Sequence, residues 1–160
     1  MWQFITSDEF RNFAVVVGVL VAIVSIFTAR SLAQKKQAAD MLFLSRGDPR
    51  LQSGARTLLN YHSAPNANVR ALALPENRDK EEARDIRFLL NHFELVSNGI
   101  QCQIYDEAMV KRSWCTIVLQ VHEQAQPFIQ ACREQAGSQT IYQEVEWLAK
   151  RWKKKKLKAK

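Results

Sequence analysis

FAVVVGVLVAIVSIFTA, residues 13–29, decides the architecture of this chain. No charged residue stands between Arg11 and Arg30. Seventeen apolar or small residues lie at the lower end of what a helix needs to cross a bilayer, roughly 17 to 25. Ser25 and Thr28 are tolerated there because their hydroxyls return to the helix backbone. Trp2 and Phe4 precede the run, where amphipathic rings settle at headgroup level. A secretory signal is the rival reading. It needs a positive leader and a shorter apolar core, but Asp8 and Glu9 outweigh Arg11. Ser31-Leu32-Ala33 would be its cleavage site. A buried core helix fits worse, since the run is apolar on every side.

The flanks set an orientation. One Arg lies before the run, and Arg30, Lys35, Lys36, Arg46 and Arg50 follow it. Positive-inside bias puts the N-terminus outside and the remainder in the cytoplasm, as a single-pass protein of the bacterial inner membrane. Small residues mark one face of the span: Ala14, Gly18, Ala22, Ser25 and Ala29. Such a stripe allows close helix approach in lipid, by self-association or with another membrane helix.

Charge is unevenly placed. The formal net charge is +7. Residues 1–149 hold 15 Lys and Arg against 16 Asp and Glu, a net of −1, and the last eleven residues hold the other eight cations. These are Lys150, Arg151, Lys153, Lys154, Lys155, Lys156, Lys158 and Lys160. A near-neutral body offers nucleic acid no global basic field. Cys102, Cys115 and Cys132 are odd in number and widely spaced, which reads as free thiols in a reducing compartment.

Past the span, helix formers continue to Gly47, so the membrane helix runs on as a stalk with Leu32, Ala39, Leu42 and Phe43 roughly along one side. Asp48-Pro49 reads as N-cap and first helical residue. A short helix follows, then a Pro- and Asn-punctuated segment in which residues 69–74 form a small turn on the core. In the next helix Ile86, Leu89, Leu90, Phe93, Val96 and Ile100 recur at three and four. Asn98-Gly99 reads as its end. Asp106 caps a long helix with Val110, Trp114, Ile117, Val118, Val121, Ala125, Phe128, Ile129, Cys132 and Ala136 inward. Pro127 predicts a kink or restart near Glu123. Gly137 stops it. The last helix starts near Thr140 with Ile141, Val145, Leu148 and Trp152 inward. The expected fold is all-α: an outer N-terminus (1–12), a transmembrane helix (13–30), a juxtamembrane stalk (31–47), a small cytoplasmic bundle (48–152) and a basic tail (153–160).

No phosphate loop, dinucleotide fingerprint, nucleophile elbow or HExxH pair occurs, and the histidines at 62, 92 and 122 are scattered. The chain is expected to be no enzyme, with no cofactor and no metal. Glu94 borders a core seam, where a carboxylate must be paired or exposed. Arg133 or Arg112 across the bundle is its expected partner.

The segments FLLNHFELVSNGIQCQIYDEAMVKRSW (88–114) and IYQEVEWLAKRW (141–152), with Arg133 between them, resemble the bacterial family called domain of unknown function 4760. Asn91, Glu94, Gly99-Ile100, Tyr105-Asp106-Glu107, Trp114, Arg133, Tyr142 and Glu146-Trp147-Leu148 carry the resemblance. It implies a helical cytoplasmic module behind one membrane helix and brings no established activity. Through relatives in mobile or phage-linked settings, the resemblance also implies a defence or exclusion role.

The expected function is therefore a membrane-anchored interaction module, acting on protein partners (another copy included) and on the membrane surface. The tail is expected to meet the anionic inner leaflet, with Trp152 packed inward and Leu157 free to dip into the interface. A merely solvated tail is the bland reading, and a membrane-tethered nucleic-acid contact is the alternative. Geometry separates them: the lipid contact gains if the bundle carries Trp152 back toward the membrane.

Overall fold

The computed structural model describes residues 8–64, 67–155 and 157. Five α-helices follow one another: α1 (Asp8–Arg46), α2 (Pro49–Ser63), α3 (Glu81–Gln101), α4 (Glu107–Ala136) and α5 (Gln143–Lys154). Two 3₁₀ segments, Val69–Ala73 and Pro75–Asn77, join α2 to α3, and no strand occurs among the described residues. Trp2, Phe4, Pro65 and Asn66 lie outside the described residues.

The apolar run and the stalk form one continuous helix of 39 residues, about 58 Å long. It is long and apolar enough to cross a membrane, and its most apolar window is 0% buried. Ser25 Oγ donates to the Val21 carbonyl at 2.7 Å, and Thr28 Oγ1 to that of Val24 at 3.0 Å, so both hydroxyls return to the backbone as expected. The stalk half is not free-standing. Ala38 is wholly buried, and Gln34, Met41 and Ser45 on the same side are half-buried against the bundle. On the side read as apolar from the sequence, Leu32 (69% exposed) and Phe43 (75%) face outward, while Ala39 and Leu42 are half-buried. The bundle covers the small and polar residues of the stalk instead.

Asp48 caps α2, its Oδ1 accepting from Arg50 N at 2.8 Å and Leu51 N at 3.3 Å. α2 then packs antiparallel on α3 at close range. Gly54 makes this possible, since a Cβ there would sit 2.5 Å from the Asp85 carbonyl oxygen and 3.0 Å from Leu89 Cβ. Every inward position expected of α3 is buried. Gly99 does not end that helix, which continues to Gln101. Its lack of a side chain admits the Tyr105 ring, whose Cε2 would lie 2.3 Å from an added Cβ. The reversal falls to Gln103, at φ 56.

Asp106 caps α4 through Met109 N at 2.7 Å. α4 stays one helix of 30 residues through Pro127. The exposed proline leaves the orphaned Glu123 carbonyl toward water rather than core. Ile117 and Ala136 are exposed, contrary to the periodic reading, while Trp114 is half-buried. Gly137, at φ 61, closes α4 as expected. α5 begins three residues later than Thr140, and Val145, Leu148 and Trp152 face the core.

Candidate functional site

The bundle meets α1 just beyond the apolar run. Arg30, the first cation after it, donates to Gln103 Oε1 at 2.6 Å. One turn on, Gln34 Nε2 donates to the Gln103 carbonyl at 2.8 Å, and its own carbonyl accepts from Asp106 N at 3.4 Å. The α3–α4 turn is therefore pinned at the end of the apolar segment. Farther along, Ser45 Oγ lies 3.3 Å from His92 Nε2, so α3 runs against α1 and arrives at that end. α4 departs from it.

α5 is seated by carboxylates from its neighbours. Tyr142, at φ 56, offers no side-chain cap. Glu94 supplies one across the bundle, accepting from Glu144 N at 3.3 Å and Val145 N at 2.9 Å. Burial raises the Glu94 pKa, and the two backbone hydrogen bonds oppose that rise. This corrects the expected Glu94–arginine pair. Arg133 instead donates to the Ile141 carbonyl at 2.9 Å and pairs with Glu146 at 2.8 Å. Arg112 is exposed and forms no ion pair among the described residues. A backbone acceptor need arises only when the last helix is placed, so charge pattern alone could not reveal it.

The far end of α5 is held by Glu107. Its Oε1 accepts from Arg151 Nε at 2.7 Å and Trp152 Nε1 at 3.1 Å, while Oε2 accepts from Arg151 at 2.9 Å. The Arg151 hydrogen bond holds the Glu107 pKa below its ordinary value against the opposing effect of burial. Trp152 is fully buried. Lys111 Nζ then donates to the Lys155 carbonyl, one turn into α4. α5 thus returns the chain to the end where Asp106 meets Gln34. Of the eight cations in the tail, Arg151 is committed to Glu107, and Lys150 pairs with Glu146 at 2.5 Å. Lys153, Lys154 and Lys155 are exposed, as is Leu157. Lys156, Lys158 and Lys160 lie outside the described residues.

A cleft of about 520 Å³ opens between the stalk and the bundle, walled by Leu42, Phe43, Leu51, Phe93, Trp114 and Ile117. His92 stands in it, edge-on to Trp114 at 5.5 Å between ring centroids. Burial lowers the His92 pKa while Asp48 pulls it up, so a neutral imidazole hydrogen-bonded to Ser45 is the resting form. Such a cleft can hold an apolar group with one hydrogen bond at its wall. Sequence reasoning missed it, because it arises where Ile117 and Phe43 fail to be covered. His122 has a different partner, Gln126 at 2.7 Å. Among the described residues no group of three His, Cys, Asp or Glu side chains could hold a metal. Ala14, Gly18, Ala22, Ser25 and Ala29 are all exposed along α1.

Most residues that carried the family resemblance now have a physical role. Glu94, Arg133 and Glu146 seat the start of α5, Glu107 holds its end, Gly99 and Tyr105 form the turn, and Trp114 lines the cleft. A family model described as domain of unknown function (DUF4760) matches residues 12–152. No curated protein and no solved structure matches the chain.

Proposed function

The chain belongs to the DUF4760 family, and from that premise we propose a single-pass, membrane-anchored helical module that acts by binding rather than catalysis, with its basic tail as a second contact to an anionic leaflet. One observation carries the proposal. The lock of Glu107 on Arg151 and Trp152 delivers the tail beside Asp106, which bonds Gln34 only one turn past Arg30. Anchor and tail therefore leave the bundle at the same end. An arrangement with two attachments suits stable membrane binding, since weak signals add. Lys153, Lys154 and Lys155 together would contribute on the order of 3 kcal/mol near an anionic surface. The cationic flank from Arg30 to Arg50 favours a cytoplasmic bundle and an outer N-terminus.

The test uses the full chain in bilayer nanodiscs. Leu157→Cys in a Cys102→Ser background takes an environment-sensitive fluorophore, because Cys115 and Cys132 are buried. Anionic lipid should shift its emission to the blue and shield it from iodide, and added salt should reverse both. Identical spectra in anionic and neutral lipid would refute the tail contact. Binding of duplex DNA by the same tail, with steep salt dependence, would favour the nucleic-acid alternative.

A further inference from the structure

The side of α1 that faces away from the bundle holds more than a stripe of small residues. From Gly18 the positions Gly18, Ala22, Ser25, Ala29, Leu32, Lys36, Ala39 and Phe43 advance by alternating steps of four and three. That is an unbroken heptad seam, and it passes through the end of the apolar run into the stalk without losing register. On an ideal helix these eight positions fall within an arc of about 100°. Gln34, Ala38, Met41 and Ser45, which the bundle covers, lie roughly 180° away. Leu32 and Phe43, the large apolar residues of the seam beyond the apolar run, are 69% and 75% exposed. Ala39, half-buried at the seam's edge, and Phe43 also border the cleft.

We infer that the partner of this face is a second copy of the chain, docked in parallel along α1. The inference rests on the membrane anchoring proposed above, which holds two copies in the same direction. Charge complementarity selects the arrangement. With Gly18, Ser25, Leu32 and Ala39 at d and Ala22, Ala29, Lys36 and Phe43 at a, Lys35 falls at g and Asp40 at the following e. In a parallel pair each g residue faces the next e residue of the other helix, so Lys35 meets Asp40 of the second copy twice about the two-fold axis. Both side chains are exposed and form no ion pair within their own chain's described residues. Lys36 is the one charge at a core position. A lone Lys at a fixes register and two-strand association at a cost in stability. Gly18, Ala22, Ser25 and Ala29 let the backbones approach in lipid, and Leu32 and Phe43 each meet their own counterpart in water.

The experiment is a cysteine scan of the full chain in native-like membranes, with oxidative crosslinking, in a Cys102→Ser background where Cys115 and Cys132 stay buried and each variant adds one exposed thiol. Positions 29, 32, 36 and 43 should crosslink strongly. Gln37 and Leu44 are as exposed but off the seam, and should crosslink weakly. Lys35→Asp or Asp40→Lys alone should weaken dimerisation roughly threefold to tenfold, and the double exchange should restore it. Equal crosslinking at 37, 44, 32 and 43, or a double exchange no better than the single ones, would overturn the seam. Membrane fractionation of the same samples separates the two ideas. A chain that stays with the membrane yet shows no periodicity retains the anchor and loses the dimer. Release from the membrane overturns both.

Discussion

Removing the Glu94 carboxylate should loosen the start of α5 without touching any arginine pair. In Glu94→Ala the amides of Glu144 and Val145 lose their only side-chain acceptor, at 3.3 and 2.9 Å. Loss of a helix N-cap costs about 0.5 to 2 kcal/mol, and an unsatisfied buried donor about 1 to 3. The site is half-buried, so water recovers part of the loss, and about 1 to 2 kcal/mol is expected. For a chain of this size that lowers Tm by roughly 3 to 8 °C. Thermal unfolding of the full chain in detergent, followed by circular dichroism, measures it. Amide hydrogen exchange supplies the local readout: Glu144 and Val145 should exchange faster while α2 is unchanged. A double-mutant cycle with Arg133 should give a coupling below about 0.5 kcal/mol. The cycle between Arg133 and Glu146 should give more, since that pair is direct and mostly shielded. Unchanged exchange at 144 and 145, together with a strong Glu94–Arg133 coupling, would refute the capping role. Acidity adds a check of sign. The native Glu94 pKa is raised above the ordinary 4.5, chiefly by burial. Its contribution therefore falls as pH rises from that value through the native one, a decline that Glu94→Gln should lack.

Further tests address the close approach and the cleft. Gly54→Ala should destabilise by about 1 to 2 kcal/mol. The 2.5 Å clash with the Asp85 carbonyl outweighs the gain of up to about 1 kcal/mol that alanine brings to a helix interior. A raised melting temperature would show that α2 and α3 separate without cost. His92 and His122 both have pKa values lowered by burial, so the unfolded chain binds their protons first. Stability should fall as pH drops below about 6.5, and His92→Gln should flatten that slope in a pH-dependent melting series.

Much of the architecture was legible before any coordinates. Periodicity placed α3 and its six inward residues, because a helix packed on one side writes its contacts into the sequence at three- and four-residue intervals. Capping chemistry at Asp48 and Asp106 and the left-handed stop at Gly137 are local, so neighbouring residues suffice to read them. Periodicity failed where a helix is only partly covered. Ile117 keeps the rhythm of α4 but opens onto the cleft, and Ala136 keeps it to the helix end but is exposed.

By itself, then, the chain's sequence determined an all-α body behind a long apolar helix, and a basic tail separate from a neutral core. Those properties depend on composition and on contacts a few residues apart. Tertiary structure alone decided which end of the bundle the tail leaves from. It also decided that Glu94 serves two backbone amides, and which side of α1 is left uncovered. Each depends on residues 44 to 73 positions apart, as when Arg151 reaches Glu107, Val145 reaches Glu94 or Gln103 reaches Arg30. Hydrogen-bond donors and acceptors so distant carry no pairing signal until packing brings them within 3 Å.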